Sequence, residues 1–125
     1  MSRIQLISNA EKQIMEIIWR ADHPITTSQI LQQLPKGKTW KPSTVVTFLN
    51  RLMAKGVLKA TRISKANYYE PCISEQEYLA FETKQFIKDV HKGSVFGFVT
   101  ALCDSGDLTK EDIELLMKRL KEQDS

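Results

Sequence analysis

The chain has 125 residues, of which 42% are hydrophobic and 26% charged. That is the composition of a soluble globular protein, neither disordered nor fibrous. It contains no apolar run long enough to span a bilayer, and its opening, MSRIQLISNAEKQ, lacks the apolar stretch of a signal peptide, so the sequence predicts a cytoplasmic protein with no membrane insertion.

Chain order then gives the elements. Ser8 with Glu11 three residues on is a capping box that opens a helix from about Asn9 to Ala21. Ile14, Met15, Ile18 and Trp19 recur at helical spacing as its buried stripe, and Pro24 stops it. ITTSQILQQLPKG is a second, shorter helix, capped by Thr26 with Gln29, with Ile30, Leu31 and Leu34 directed inward. TWKPSTVVTFLNRLMAKG is a third. Pro42 suits its first position, where the missing N–H has no partner to lose. Val45, Phe48, Leu49, Leu52 and Met53 fall on one apolar face, and Gly56 is placed to end it in a left-handed conformation.

The period then changes. VLKATRI and NYYEPCI, joined by SKA, are β-branched and aromatic and predict a two-stranded ribbon packed on the helices. Three helices followed by a ribbon is the order of a winged helix-turn-helix. The predicted fold is therefore mainly α with a small β ribbon, a winged helix-turn-helix over residues 1–73 followed by a helical lobe over 74–125.

In that second lobe Ser74 and Glu77 cap a helix running to about His91. Its apolar residues form two groups, Leu79, Phe86, Ile87 and Val90 on one side, Tyr78 and Phe81 on another. SVFGFVTALC (94–103) is apolar nearly all round, which predicts burial on every side. Thr109 with Asp112 caps a last helix striped by Ile113, Leu116, Met117 and Leu120. Three such helices in about fifty residues cannot easily bury themselves, and a second copy of the chain is the simplest supply of apolar surface. The residues expected to dimerise are Tyr78, Phe81, Phe86, Val95, Phe98, Val99, Leu102, Ile113, Leu116, Met117 and Leu120.

The charge divides with the lobes. Residues 1–73 hold 11 Lys and Arg against 4 Asp and Glu, and residues 74–125 hold 7 against 11. No acid occurs between Asp22 and Glu70, a window carrying Lys36, Lys38, Lys41, Arg51, Lys55, Lys59, Arg62 and Lys65. An ordinary solvated surface mixes both signs, so the first lobe is expected to face a polyanion. A helix in the major groove needs short side chains towards base edges and cations at the rim. Ser43, Val46, Thr47 and Asn50 on the third helix suit the first role, and Lys41, Thr44, Arg51 and Lys55 the second. Arg62, Lys65 and Asn67 at the ribbon tip can reach the next stretch of backbone or a minor groove. The expected partner is double-stranded DNA, read as an inverted repeat by a homodimer. The alternative is a winged helix reused as a protein-docking module without specific DNA binding.

Other chemistry has little support. Cys72 and Cys103 lie far apart and His23 and His91 are isolated, so no metal spacing or nucleophile–base pair is present. The expectation is two buried thiols, no enzyme activity, no metal and no cofactor.

ISNAEKQIMEIIW, ITTSQILQQL, TWKPSTVVTFLNRLMAKGVL, ANYYEPCISEQEYLAFETKQFI and DLTKEDIELLMKRL, in that order, resemble the penicillinase and methicillin-resistance repressors over roughly Ile7 to Leu120. The resemblance implies a homodimeric winged-helix repressor on a palindromic operator, released when a membrane sensor-protease pathway leads to its cleavage, with penicillin-type inducers and antibiotic resistance in view. Ser43 and Val46 stand where the best-known members carry Lys and Arg. Their Asn–Phe cleavage bond corresponds here to Ala101–Leu102. The chain also ends KRLKEQDS, without the cysteine-rich motif of copper-responsive relatives.

Overall fold

The computed structural model describes residues 4–124. Its elements are α1 (Asn9–Arg20), α2 (Thr27–Gln32), α3 (Pro42–Ala54), β1 (Leu58–Ile63), β2 (Ala66–Pro71), α4 (Glu75–Val90), α5 (Val95–Ser105) and α6 (Lys110–Gln123). The chain divides into two compact units, residues 1–80 and 81–125.

The first unit is a winged helix. The capping boxes of α1 and α2 form as the sequence predicts, Ser8 with Glu11 and Thr26 with Gln29. Ile14, Met15, Ile17 and Ile18 of α1 are fully buried against Ile30 of α2 and Val45, Leu49 and Leu52 of α3. Each such side chain contributes roughly 1.5–3 kcal/mol on removal from water. At the end of α3, Gly56 takes φ +82. Its N–H donates to the Met53 carbonyl and that of Val57 to the Leu52 carbonyl, the paired bonds of a Schellman stop. The chain therefore leaves α3 with Val57 and Leu58 buried and enters the ribbon.

β1 and β2 pair antiparallel, with Ile63 opposite Ala66, so the turn is the two residues Ser64 and Lys65. Both have positive φ, 48 and 71, as a type I′ hairpin requires. The ribbon is fastened at its base: Tyr69 is buried and exchanges two backbone hydrogen bonds with Ile25, at 3.1 and 2.7 Å.

The first turn of α4 belongs to this core. Tyr78 is fully buried and its hydroxyl accepts from the Ile7 N–H at 2.9 Å. Its ring lies beside Trp19, whose Nε1 donates to the Ile73 carbonyl. Tyr78, expected at a dimer surface, is thus already covered within the single chain. It completes the first core, and lies within the first unit.

The second unit holds the rest of α4 with α5 and α6. Phe86, His91 and Phe98 meet edge to face at the α4–α5 corner. In the single chain α5, expected to be covered on every side, has no buried residue, and neither does α6. Both thiols, expected to be buried, are exposed. Cys72 sits in the bend between β2 and α4, and Cys103 on α5, where a single subunit does not bury it.

Candidate nucleic-acid interface

With Val45, Leu49 and Leu52 turned into the core, helical geometry leaves Ser43, Val46, Thr47, Asn50 and Arg51 exposed on the opposite face of α3. Thr44 is half-buried at its edge, and Lys41 is exposed at the N-cap. The face is short-chained and uninterrupted by acid. The Thr47 hydroxyl donates to the Ser43 carbonyl at 3.0 Å, a common local bond for Thr within a helix. Its proton is thereby engaged, and outward it offers lone pairs and a methyl group. Asn50 offers the amide pair that matches an adenine edge, and Val46 a surface for a thymine methyl.

The ribbon brings its polar residues to one tip. Arg62 and Asn67 are directly opposed across the strands and Lys65 occupies the turn, all exposed.

The cations of the acid-free window are not equivalent. Lys55, expected to meet a phosphate, instead places its Nζ 2.6 Å from the Glu11 carboxylate, which is only 1% exposed. The sequence suggested only the cap for Glu11. In the fold the same carboxylate also accepts from the Ser8 N–H at 2.8 Å, and Gln5 N–H donates to the Lys55 carbonyl. Burial pushes the Glu11 carboxyl up, but the hydrogen bonds from Lys55 and the Ser8 backbone, with the Lys55 charge, outweigh it and hold the group below its ordinary value. Lys55 is therefore a structural cation: a carboxylate this enclosed needs its partner. Lys59 is likewise paired, with Glu70 at 3.6 Å. Among the described residues, Lys36, Lys38, Lys41, Arg51, Arg62 and Lys65 have no carboxylate partner. They lie in the loop before α3, along α3 and at the ribbon tip.

Sequence reading also passed over the aromatic support of this face. The Trp40 ring, just ahead of α3, packs on Phe48 with centroids 5.1 Å apart.

The expected dimerisation residues other than Tyr78 lie in the second unit. Phe86, Val95, Val99, Ile113, Leu116, Met117 and Leu120 are exposed, and Phe81, Phe98 and Leu102 are partly covered. Two strongly exposed apolar residues were not foreseen, Phe96 (83%) and Leu115 (67%). The signal for them was the all-round apolar character of α5 and the LL pair in α6. Ala101–Leu102 lies inside the regular helix α5. Among the described residues no helix is long and apolar enough to cross a membrane, and no cluster of three or more His, Cys, Asp or Glu is placed to hold a metal.

Comparison with known proteins matches residues 7–122 to the family described as Penicillinase repressor. The chain is 31% identical to the penicillinase repressor of Bacillus licheniformis, over 98% of this chain and 94% of that one. It is 29% identical to the methicillin resistance regulatory protein MecI of Staphylococcus aureus (strain N315), over 94% of each. Among solved structures it is similar to the monomeric form of Bacillus licheniformis BlaI in complex with the blaP half-operator. The identity there is 37% and the TM-score 0.51, with 62% of this chain and 94% of that chain covered.

Proposed function

Because the chain belongs to the penicillinase repressor family, we propose that it is a transcriptional repressor that binds a specific DNA operator through the outer face of α3, flanked by the ribbon tip. The observation that carries this reading is the distribution of charge. Among the described residues, six cations without carboxylate partners lie before, along and beyond a helix face of short, acid-free side chains. That combination fits phosphate rims around a base-reading helix. The relative solved on a half-operator supports one winged helix per half-site.

In this reading two copies associate through the apolar surface of α4, α5 and α6. Two recognition helices related by a two-fold axis then face an inverted repeat. Repression is steric, by occupation of the promoter. Release follows from loss of the dimer, because a lone subunit gives up the second, linked contact. Cleavage at Ala101–Leu102 by a sensor-protease pathway would achieve this. It first needs local unwinding of α5, since both residues are helical in the structure.

Salt tests the reading. Operator affinity should fall linearly on a log–log plot against salt, with a slope of roughly −0.9 per phosphate neutralised. A flat response would contradict it and favour a protein-docking module. The roles within the face also separate. Asn50→Ala should cost about 1–3 kcal/mol at one base pair and relax the preference there. Arg51→Ala should weaken binding about equally on all sequences. Competition gel shifts with single-base operator variants distinguish the two.

A further inference from the structure

Two of the unpartnered cations are held on aromatic rings. The Lys38 ammonium lies 4.9 Å from the Trp40 ring centroid, Trp40 packs on Phe48, and the Arg51 guanidinium lies 5.8 Å from the centroid of that second ring. A cation, two rings and a second cation thus form one run, from the loop before α3 to the last turns of the helix. The loop is shaped for it. Gly37 takes φ +90, and the Lys38 N–H donates to the Pro35 carbonyl at 3.1 Å, folding the chain back towards Trp40.

A ring holds a cation differently from a carboxylate. It limits the side chain's freedom and draws on the ring quadrupole, yet leaves the positive charge uncancelled. Lys59 and Lys55 instead face the carboxylates of Glu70 and Glu11. Lys38 and Arg51 are exposed, lie against rings, and have no carboxylate partner among the described residues. A polyanion binding there would meet cations whose freedom the rings already restrict in part.

We infer that Lys38, a loop residue outside the recognition helix, is a backbone-phosphate contact of the operator complex, and that Trp40 is its positioning residue, coupling it through Phe48 to Arg51 on α3. The inference rests on the operator-binding reading above. It adds a contact on the N-terminal side of α3 to those of the helix face and the ribbon. It also separates Lys38 from Lys36, which is exposed in the same loop but has no ring contact among the described residues.

The test uses the full-length chain, with fragments retained by the parent protein as operator DNA, and four variants: Lys38→Ala, Lys36→Ala, Trp40→Leu and Trp40→Phe. Lys38→Ala is expected to keep the parent's melting temperature, weaken operator and unrelated DNA by the same several-fold factor, and lower the salt slope by about 0.9 for each Lys38 lost. Ethylation interference should lose one phosphate per half-site and keep the others. Trp40→Leu should weaken binding in the same sequence-independent way, Trp40→Phe should largely restore it, and Lys36→Ala should have the smaller effect.

The inference fails if Lys38→Ala leaves the slope and the interference pattern unchanged while the parent binds its operator. It fails equally if Lys36→Ala matches Lys38→Ala and Trp40→Leu binds as the parent does. A parent without salt-dependent specific binding overturns the operator reading itself, and the inference with it. Should Trp40→Leu melt early, the slope and footprint of Lys38→Ala decide alone.

Discussion

In the dimer proposed above, Val99→Asp should yield single subunits and weaken operator binding by about 100-fold or more. Val99 lies on α5, a helix with no buried residue in the single chain, and α6 has none either. Phe96, Leu115 and Leu120 are more than half exposed. Large exposed apolar surface of this kind marks interaction sites. A carboxylate placed in it would lose several kcal/mol of hydration on association with nothing to pair it. Sedimentation should show one subunit, while affinity for a half-operator stays near the parent's because the first unit has its own core. Leu116→Asp, on α6, provides a second route to the same state. If either variant sedimented as a monomer and still bound the full operator as tightly as the parent, the link between association and affinity would be wrong.

Lys55→Met should be strongly destabilising, costing about 3 kcal/mol in urea unfolding. It leaves the Glu11 carboxylate enclosed, with the Ser8 N–H but without its cation. The pair Lys55→Met with Glu11→Gln should recover much of the loss, since a neutral amide needs no counter-charge. The pH dependence has a definite sign. In the parent the Glu11 carboxyl lies below its ordinary value of 4.5. Its contribution is therefore fully present above that value and is lost as pH falls through the lower, folded one. Without Lys55 the burial dominates and raises the carboxyl, so the gap between variant and parent should narrow as the solution is acidified. A gap independent of pH, or a double variant no more stable than the single, would contradict this account. Lys55→Met should also leave the salt slope of DNA binding unchanged wherever the variant is folded, unlike Arg51→Ala.

The sequence made legible what local chemistry decides. The capping boxes at Ser8, Thr26, Ser74 and Thr109 form as read, because each needs only residues three apart. The two faces of α3 followed from its period, and the order of helices and ribbon identified the winged helix. What depended on distant partners did not show. Tyr78 reads as half of a second apolar stripe on α4, but its hydroxyl meets an N–H at Ile7, which no periodicity connects to it. Lys55 reads as a rim cation because its carboxylate comes from α1. The two thiols illustrate a further limit. Apolar neighbours in sequence suggested burial, whereas Cys72 lies in a surface bend and Cys103 on a helix that one subunit leaves uncovered. The exposed charge of the face was legible as an absence of acids, and its aromatic support was not, since Trp40 and Phe48 meet only once the loop folds back.

The central claim is that α3 reads duplex DNA, one helix per half-site. The most direct measurement is to sequence the genomic fragments that the purified protein retains at moderate salt. The account predicts enrichment of one inverted repeat, with preferences at single positions that change on Asn50→Ala. Retained fragments with no shared sequence, or a shared sequence indifferent to every substitution on the outer face of α3, would contradict it.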